Sequence, residues 1–547
     1  MKRILFAGLA AFTALAASAG PMPHGGKTKK YVAFGWEYSY LRAEDFLAHA
    51  DEFDKTPLDG VGFNVNGDES AGRRYQCFRE IMQEPRWTLR SLENLVEPMR
   101  RMSARKCFRE SFVRSLVQPN RRIAWTDDAG WDVVSNNLRA VTWLAREARF
   151  RGIYTDIEDY TKQSQFFRTD DDPPYDELRP IVRRRARDVF RGIFEEYPDV
   201  TVFMFWILSD APYRHYETDL PGFLRARGDL WPAFVNGILD VIPPTAKLVD
   251  GEEDAYKFEA SRHDFLAEYN KLFNWDVQLV EPENRGKYRN QVSVSFGQYL
   301  DAYVNGEKES WYMGPVDGSR LKHFRQNLEE ATSACDEYVW FWGERGAWID
   351  WGEKLRSDPE RLHAAAKNVW NEVIPGGLNN AFKAIKDPEG EFVPRIEAAI
   401  AKGKLKDILA DVQFMTWKNT PPKDKGRDAP GSFVRENGEL RAEGLVYGGC
   451  YHFNQENLKG GETYYVKGLA KGGCVNPTVS FKSGGRGTYG RRNWIAVRGD
   501  DPNGWREIRA FVRVPEYADA ASFTFSFDKM RPDESAAYRD IHVYKLP

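Results

Sequence analysis

Cysteine and histidine are scarce in this chain: its 547 residues include five cysteines (Cys77, Cys107, Cys335, Cys450 and Cys474) and eight histidines. The cysteines are too few and too scattered for a disulfide framework or a zinc site, and the odd count leaves at least one thiol free. Cys450 and Cys474 fall in one late segment and form the candidate pair. No two histidines stand at a metal-ligand spacing, and there is no serine nucleophile elbow, phosphate-cradling glycine loop or HExxH helix. Charge of one sign is also lacking. The 78 basic and 81 acidic side chains leave a formal −3, which gives no pull toward nucleic acid or an anionic membrane. By elimination, the chemistry falls to carboxylates, with no cofactor required for it.

Long apolar runs are confined to the start. Lys2 and Arg3 precede an apolar stretch from Ile4 to Ala17, and Ala17-Ser18-Ala19 supplies the small residues of a cleavage site. Residues 1–19 therefore read as a signal peptide, and no cysteine follows to carry a lipid anchor. No later run is long enough to span a bilayer. The expected location is secreted or periplasmic, without a membrane anchor. Aromatic residues, by contrast, are plentiful at 14%, with 17 tryptophans, which suits either a large core or flat platforms for sugar rings.

Alternating strand and helix patterns count out eight repeats. Short β-like runs occur at Tyr31 to Trp36, Gly60 to Gly67, Arg122 to Trp125, Gly152 onward, Val200 to Ile207, Ala246 to Val249, Gln291 to Phe296 and Glu337 to Trp342. Between them lie helical patterns, among them Leu89 to Met102, Phe108 to Val117 and Trp131 to Ala148. Another runs from Ile181 to Phe194, where Arg183, Arg184, Arg185 and Arg187 read as a solvated face. Eight such units predict an α/β fold, a closed parallel (β/α)8 TIM barrel over residues 28–417. Its last part, from about Trp351 to Phe414, is expected to be helical and to pack on the barrel. Lys418 to Gly431 reads as a linker. Residues 432–547 alternate with period two between glycines and predict an antiparallel β-sandwich.

The active site of such a barrel lies at the C-terminal ends of its strands. Glu37, Asn66, Asp127, Asp156, Glu158, Asp210, Glu253 and Glu344 all fall there, accompanied by Trp36, Trp125, Trp206, Trp340 and Trp342. Asp156 and Glu158, two apart on one strand, share a face. Glu158 is the first choice for a proton donor, with Asp156 supporting it. Glu253 leads as the second carboxylate, because Gly251 marks a close backbone approach and Tyr256 stands by as a hydrogen-bonding partner. Glu344 is the alternative. Trp36, Glu37, Asn66, Asp127, Trp206, Asp210, Tyr256, Trp340 and Trp342 are the candidate substrate contacts. Structural roles compete for several of these: a helix N-terminus for Glu253, a salt bridge with Arg345 for Glu344, and core packing for Trp340 or Trp342.

The run Arg151-Gly152-Ile153-Tyr154-Thr155-Asp156-Ile157-Glu158 resembles the fourth-strand signature of the chitinase-like glycoside hydrolases of family 18, Asp-Gly-x-Asp-x-Asp-x-Glu. Gly152, Asp156 and Glu158 match it, and Glu158 falls on the family's proton donor. Arg151 and Tyr154 replace two of its acids. Near the other end, Gly461-Glu462-Thr463-Tyr464-Tyr465-Val466, Trp505-Arg506-Glu507, Val514-Pro515-Glu516 and Asp540-Ile541 resemble the jelly-roll carbohydrate-binding modules of the family 4 and 9 type. That resemblance implies a possible structural calcium with Asp540 as a ligand, and Trp494 and Trp505 as sugar-stacking candidates. Together these features describe a glycoside hydrolase acting on a polysaccharide or glycan. The rival is a non-catalytic glycan-binding or surface protein on a degenerate barrel. Oligomeric state is not legible from the sequence.

Overall fold

The computed structural model of the chain describes residues 29–546, apart from 39, 66–80, 83–85, 117–118, 120, 161, 212–218, 261–263, 360–361, 363–365, 367, 383–391, 422–428, 460–461, 473, 485, 488–492, 495, 499–503 and 515–517. Two cores organise it, a parallel barrel and an antiparallel sandwich.

The barrel strands are β1 (Lys30–Ala33), β2 (Gly60–Phe63), β3 (Phe112–Leu116), β4 (Gly152–Asp156), β5 (Thr201–Met204), β6 (Lys247–Asp250), β7 (Val292–Val294), β8 (Phe296–Tyr299) and β9 (Tyr338–Trp342). Each pairs in parallel with the next through β7, while β8 pairs with β9 and β9 with β1. β7 and β8 flank Ser295, whose N–H donates to the Asp250 carbonyl at 2.8 Å. They are two halves of one barrel strand, so the expected eightfold closed barrel holds.

Alternation along the strands sorts the side chains. Tyr31, Val61, Val113, Ile153, Val202, Leu248 and Phe341 face outward and pack under the helices. Val32, Phe34, Phe112, Tyr154, Phe203, Phe205, Val249, Tyr338 and Trp340 fill the interior. These rings need room that neighbouring strands must vacate. A Cβ on Gly62 would lie 2.4 Å from the Phe34 ring and 2.8 Å from that of Tyr154, so glycine at this inward position is what admits both. At the N-terminal end, Glu337 closes the barrel with Lys30 (2.7 Å) and Lys247 (2.8 Å). Despite its burial, those two cations hold its carboxyl down to about 2.

Two expectations about this half fail. The third strand is Phe112–Leu116, within the stretch read as a helix, and Arg122 to Trp125 forms a loop outside the ladder. Phe-Val-Arg-Ser-Leu carries no clean alternation, and its register against β4 decides the matter. Trp125 consequently leaves the rim and stacks on Trp131 at 4.8 Å under the helices. The arginines of the helix Tyr175–Glu196 are not simply a solvated face either. Arg185 is buried and donates to the Trp125 carbonyl at 2.9 Å, and Arg183 binds Asp240 and Glu283.

Beyond β9 the chain is only partly helical. Leu355, Leu362, Trp370, Leu378 and Phe382 pack on the barrel, while the helix Phe392–Ala401 packs on the sandwich instead. There Glu397 accepts from the Tyr465 hydroxyl (2.9 Å) and Lys467 (2.7 Å). The sandwich consists of two six-stranded antiparallel sheets. One runs in the order 415–418, 449–456, 520–527, 475–483, 486–487, with 493–494 also pairing with 475–483, and the other 432–436, 439–443, 535–545, 463–471, 506–513, 496–498. Met415–Lys418 is already one of its strands.

Cys450 and Cys474 are not joined to each other by a disulfide. Cys450 and Asn476 both lie opposite Ser526 from opposite sides of the strand Ala520–Phe527, so that strand separates the two cysteines. Two strand spacings of about 4.8 Å put them beyond the reach of a disulfide. No helix among the described residues is long and apolar enough to cross a membrane.

Candidate active site

The barrel interior ends below the mouth in a packed aromatic layer. Phe34 stacks on Tyr154 at 4.3 Å, and Phe205 stacks on Trp340 at 4.3 Å. Trp340 is fully buried and its indole N–H donates to the Gly251 carbonyl at 2.6 Å, so it belongs to this floor and presents no face to a substrate. Gly251 is also a point of close backbone approach, but to β5: a Cβ there would lie 2.9 Å from the Met204 carbonyl, 3.0 Å from the Phe203 ring and 3.1 Å from the Phe205 Cα.

Above the floor, β4 delivers its two acids to one side. Asp156 is buried at 1% exposure, and its Oδ1 accepts the Glu158 N–H at 2.8 Å. The Tyr160 hydroxyl donates to Asp156 Oδ2 at 3.0 Å and also to Glu158. Burial raises the Asp156 pKa against these donors and the nearby Arg114. Glu158, half-buried, is raised by its own desolvation and then by the Asp156 charge, with Asp210 and Asp254 adding to it.

Glu253 reaches the same space from the end of β6. The chain there is held on several sides. Asp250 accepts the Leu208 N–H (2.9 Å), the Ser209 N–H (3.2 Å) and the Ser209 hydroxyl (2.5 Å), and the Gly251 N–H donates to the Met204 carbonyl at 2.7 Å. Glu252 then turns at φ 43°, a left-handed conformation that costs a non-glycine residue about 1–2 kcal/mol, and this swings Glu253 over the mouth. Desolvation, then the charges of Asp156 and Glu158, push Glu253 well above the ordinary carboxylate range. Its Oε2 and the adjacent Tyr256 hydroxyl are buried with no partner of good hydrogen-bond geometry among the described residues, Tyr256 acting only as a nearby donor that lowers the Glu253 pKa slightly against its burial. Buried polar atoms are rarely left so, and a ligand's hydroxyls would satisfy both. Tyr256 feels both Glu253 and Glu158, and its ring stacks on Tyr299 at 5.2 Å.

The two ends of the barrel differ in kind. Glu337 at the base is clasped by two lysines, whereas among the described residues neither Glu158 nor Glu253 has a salt bridge. Asp156 raises Glu158, and both raise Glu253, so the acids compete for protons.

The remaining sequence candidates divide. Glu344 is exposed at the end of β9 and neighbours Tyr299, joining the outer wall of the mouth. Its N–H and that of Arg345 donate to Asp301 at 2.8 and 3.1 Å. Trp342 is half-buried with the Arg114 guanidinium 5.9 Å from its ring, and Trp206 is half-buried with its indole N–H lacking a partner among the described residues. Asp210 is at the exposed rim. Two acids are elsewhere. Glu37 is buried and accepts from the Trp351 indole (2.6 Å) and the Trp348 N–H (3.2 Å), so its lone pairs are spent inside the protein. Asp127 caps the helix Asp128–Glu147 by accepting the Gly130 N–H at 3.0 Å, a consequence of the misplaced third strand. Asn66 and the Trp36 side chain lie outside the described residues.

In the sandwich, Asp540 sits at φ 52° on a bulge opposite Gly468, its carboxylate exposed beside Arg539. No group of three or more His, Cys, Asp or Glu side chains among the described residues is arranged to hold a metal ion. Trp505 is covered by the Arg539 guanidinium at 4.1 Å, and the Trp494 side chain is outside the described residues. Sequence reasoning missed Arg114. It faces Tyr154 across the β3–β4 ladder and so points inward, which a correct third strand would have revealed.

No protein-family model matches the chain, and no curated protein does. Solved structures give faint likenesses. A family GH115 4-O-methyl-alpha-glucuronidase with specificity for decorated arabinogalactans aligns over 95% of this chain and 82% of its own, at 9% identity and a TM-score of 0.29. A CBM4 structure matches 25% of this chain and 91% of its own, at 13% identity and a TM-score of 0.18. The enzymatically active domain of bacteriophage CBA120 tailspike protein 4 matches 26% of this chain and 19% of its own, at 12% identity and a TM-score of 0.17. Likenesses this slight carry no argument about chemistry, which rests on the side chains.

Proposed function

We propose that the protein is a secreted or periplasmic glycoside hydrolase that cleaves a polysaccharide or glycan by carboxylate acid/base catalysis. The observation that carries this reading is the convergence of Asp156, Glu158 and Glu253, the last two without a salt bridge among the described residues and accompanied by Tyr160 and Tyr256, over an aromatic floor at the C-terminal mouth of the barrel. Glycosidic cleavage needs a protonated carboxyl for the leaving oxygen and a second carboxylate facing the anomeric carbon.

Glu158 takes the first role. Its carboxyl is half-exposed, so water can reprotonate it between turnovers. Glu253 takes the second. In the empty site it is the more strongly raised of the two, in part by the Glu158 charge, so the shared proton passes to Glu158 before reaction, and the Glu253 carboxylate is then stabilised as positive charge develops on the sugar ring. The Tyr256 hydroxyl, adjacent to both, passes the shared proton between them, and Asp156 holds the Glu158 backbone in place. The sandwich keeps the enzyme near its polymer by a weak second attachment.

Purified protein screened on a panel of polysaccharides should release sugar from at least one. Glu158→Gln and Glu253→Gln should each lower kcat at least a hundredfold with folding unchanged, in line with loss of a general acid or base. Activity retained in both variants refutes the carboxylate mechanism. Tyr154, aromatic where the family 18 signature has an acid, favours the second reading, a glycan-binding barrel without catalysis. Binding of a polysaccharide with no hydrolysis by the wild type establishes that reading instead.

A further inference from the structure

A cleft of about 550 Å³ opens beside the mouth, lined by Tyr256, Lys257, Glu259, Trp311, Tyr312 and Met313 among others. Its inner wall is Tyr256, whose phenol feels the charges of both candidate catalytic carboxylates. Cleft and acid cluster therefore share one side chain.

The outer wall is unusual. Trp311 is 41% exposed on a backbone with φ 60°, a left-handed conformation that costs a tryptophan about 1–2 kcal/mol. The surrounding loop is pinned so that this conformation persists. The Met313 N–H donates to the Ala302 carbonyl at 2.9 Å, the Asn305 side-chain amide to the Ser310 carbonyl at 3.0 Å, and His323 Nδ1 lies 2.6 Å from the Gly314 carbonyl. His323 Nε2 is held in turn by Glu259 at 2.7 Å. Tyr256 and Tyr299 meet the Trp311 ring edge-on at 5.8 and 5.9 Å, making an aromatic corner. The Lys257 ammonium, tied to Asp254 at 2.5 Å, stands 4.7 Å from the Trp311 ring. The ring is packed by the two tyrosines and the Lys257 ammonium, and the surface it keeps in water on a strained backbone lines the cleft, where a ligand would cover it.

We infer that this cleft is a subsite for a second sugar ring of the glycan whose scissile bond lies over Glu158 and Glu253, with Trp311 as the stacking surface and Lys257 and Glu259 binding ring hydroxyls. The inference rests on the glycosidase reading above and adds to it that the substrate is an oligomer engaged by at least two rings. Aromatic faces take the C–H side of a pyranose, and the charged groups take its hydroxyl edge.

The test uses the full chain carrying Glu158→Gln, titrated calorimetrically with gluco-, xylo-, manno- and galacto-oligosaccharides of two to six units. Affinity should rise as the second ring is added, and Trp311→Ala in the same background should weaken binding of the preferred oligomer about tenfold, the upper range for one aromatic contact. Trp311→Phe should recover most of that loss. If Trp311→Ala fails to fold, the Phe variant decides, with a measurable weakening expected. Unchanged affinity in the folded variant overturns the subsite while leaving the glycosidase reading standing. If no oligosaccharide binds and the wild type hydrolyses none of them, the reading beneath it falls as well.

Discussion

Glu37 offers the sharpest quantitative check on the difference between an acid that acts and an acid that is merely satisfied. Its carboxylate is enclosed beneath the segment 346–351, and burial pushes its pKa up to about 8, with the Trp351 and Trp348 donors only partly opposing the rise. The ordinary value is 4.5. The folded protein thus keeps a proton that the unfolded chain releases, and stability must fall as pH rises. The contribution is fully present below about pH 4.5 and is lost as pH climbs through 8. A difference of that size is worth about 5 kcal/mol between the two limits, of which some 3 kcal/mol falls between pH 5 and 8. Glu37→Gln removes the ionisable group and keeps an acceptor oxygen for the Trp351 indole. Urea unfolding of the barrel at pH 5, 6, 7 and 8, followed by near-ultraviolet circular dichroism, should therefore show a shallower decline in the variant than in the wild type. Asp336, raised to about 7 by burial, and Asp229 and Asp301, raised to about 6 by burial, have the same sign but persist in both proteins. The difference between the two curves consequently isolates Glu37. Parallel curves would refute the argument, and a loss of hydrolysis at constant stability would return Glu37 to the substrate.

Two further perturbations follow from the packing. Gly62→Ala places a methyl 2.4 Å from Phe34 and 2.8 Å from Tyr154, so the barrel should lose about 1–3 kcal/mol by overpacking. The displaced Tyr154 should disturb Asp156 two residues on, and denaturant midpoints with kcat measured on the same preparation check both effects. Asp301→Asn replaces one of two acceptor oxygens with a donor facing the Glu344 or Arg345 N–H, at a cost of about 1–3 kcal/mol. Hydrogen exchange at those two amides should quicken, and unchanged protection would show that Asp301 does not anchor the end of β9.

The barrel was legible because its strands alternate. Phe34, Tyr154, Phe205 and Trp340 face in and Tyr31, Ile153, Met204 and Phe341 face out, as a two-residue period demands. The period ends at Asp156, the last residue of β4, and Glu158 is carried by the turn beyond it, its N–H donating to Asp156. The third strand escaped because Phe108 to Val117 contains apolar residues at spacings that suit both a helix and a strand. Ile123 and Trp125 also alternate, but they bury their side chains under the helices and join no ladder. Ladder hydrogen bonds come from neighbouring strands, and no local pattern reports them.

The acids at the mouth show the deeper limit. Glu37, Asp127, Glu158 and Glu253 look alike in sequence, each an acid following a strand-like run. What separates them is the supply of donors. Asp127 finds one three residues away in its own helix, and Glu37 finds the Trp348 N–H 311 residues further along the chain. Glu253 Oε2 finds none among the described residues. A buried acceptor left unsatisfied costs about 1–3 kcal/mol, so an acid's function is read from the partners the fold denies it, and those are set by tertiary structure. Glu253 is the stronger partner for Glu158 because the left-handed turn at Glu252 and the anchoring of Asp250 and Gly251 on β5 hold its backbone, at the cost of strain, where its carboxyl and that of Glu158 act on each other.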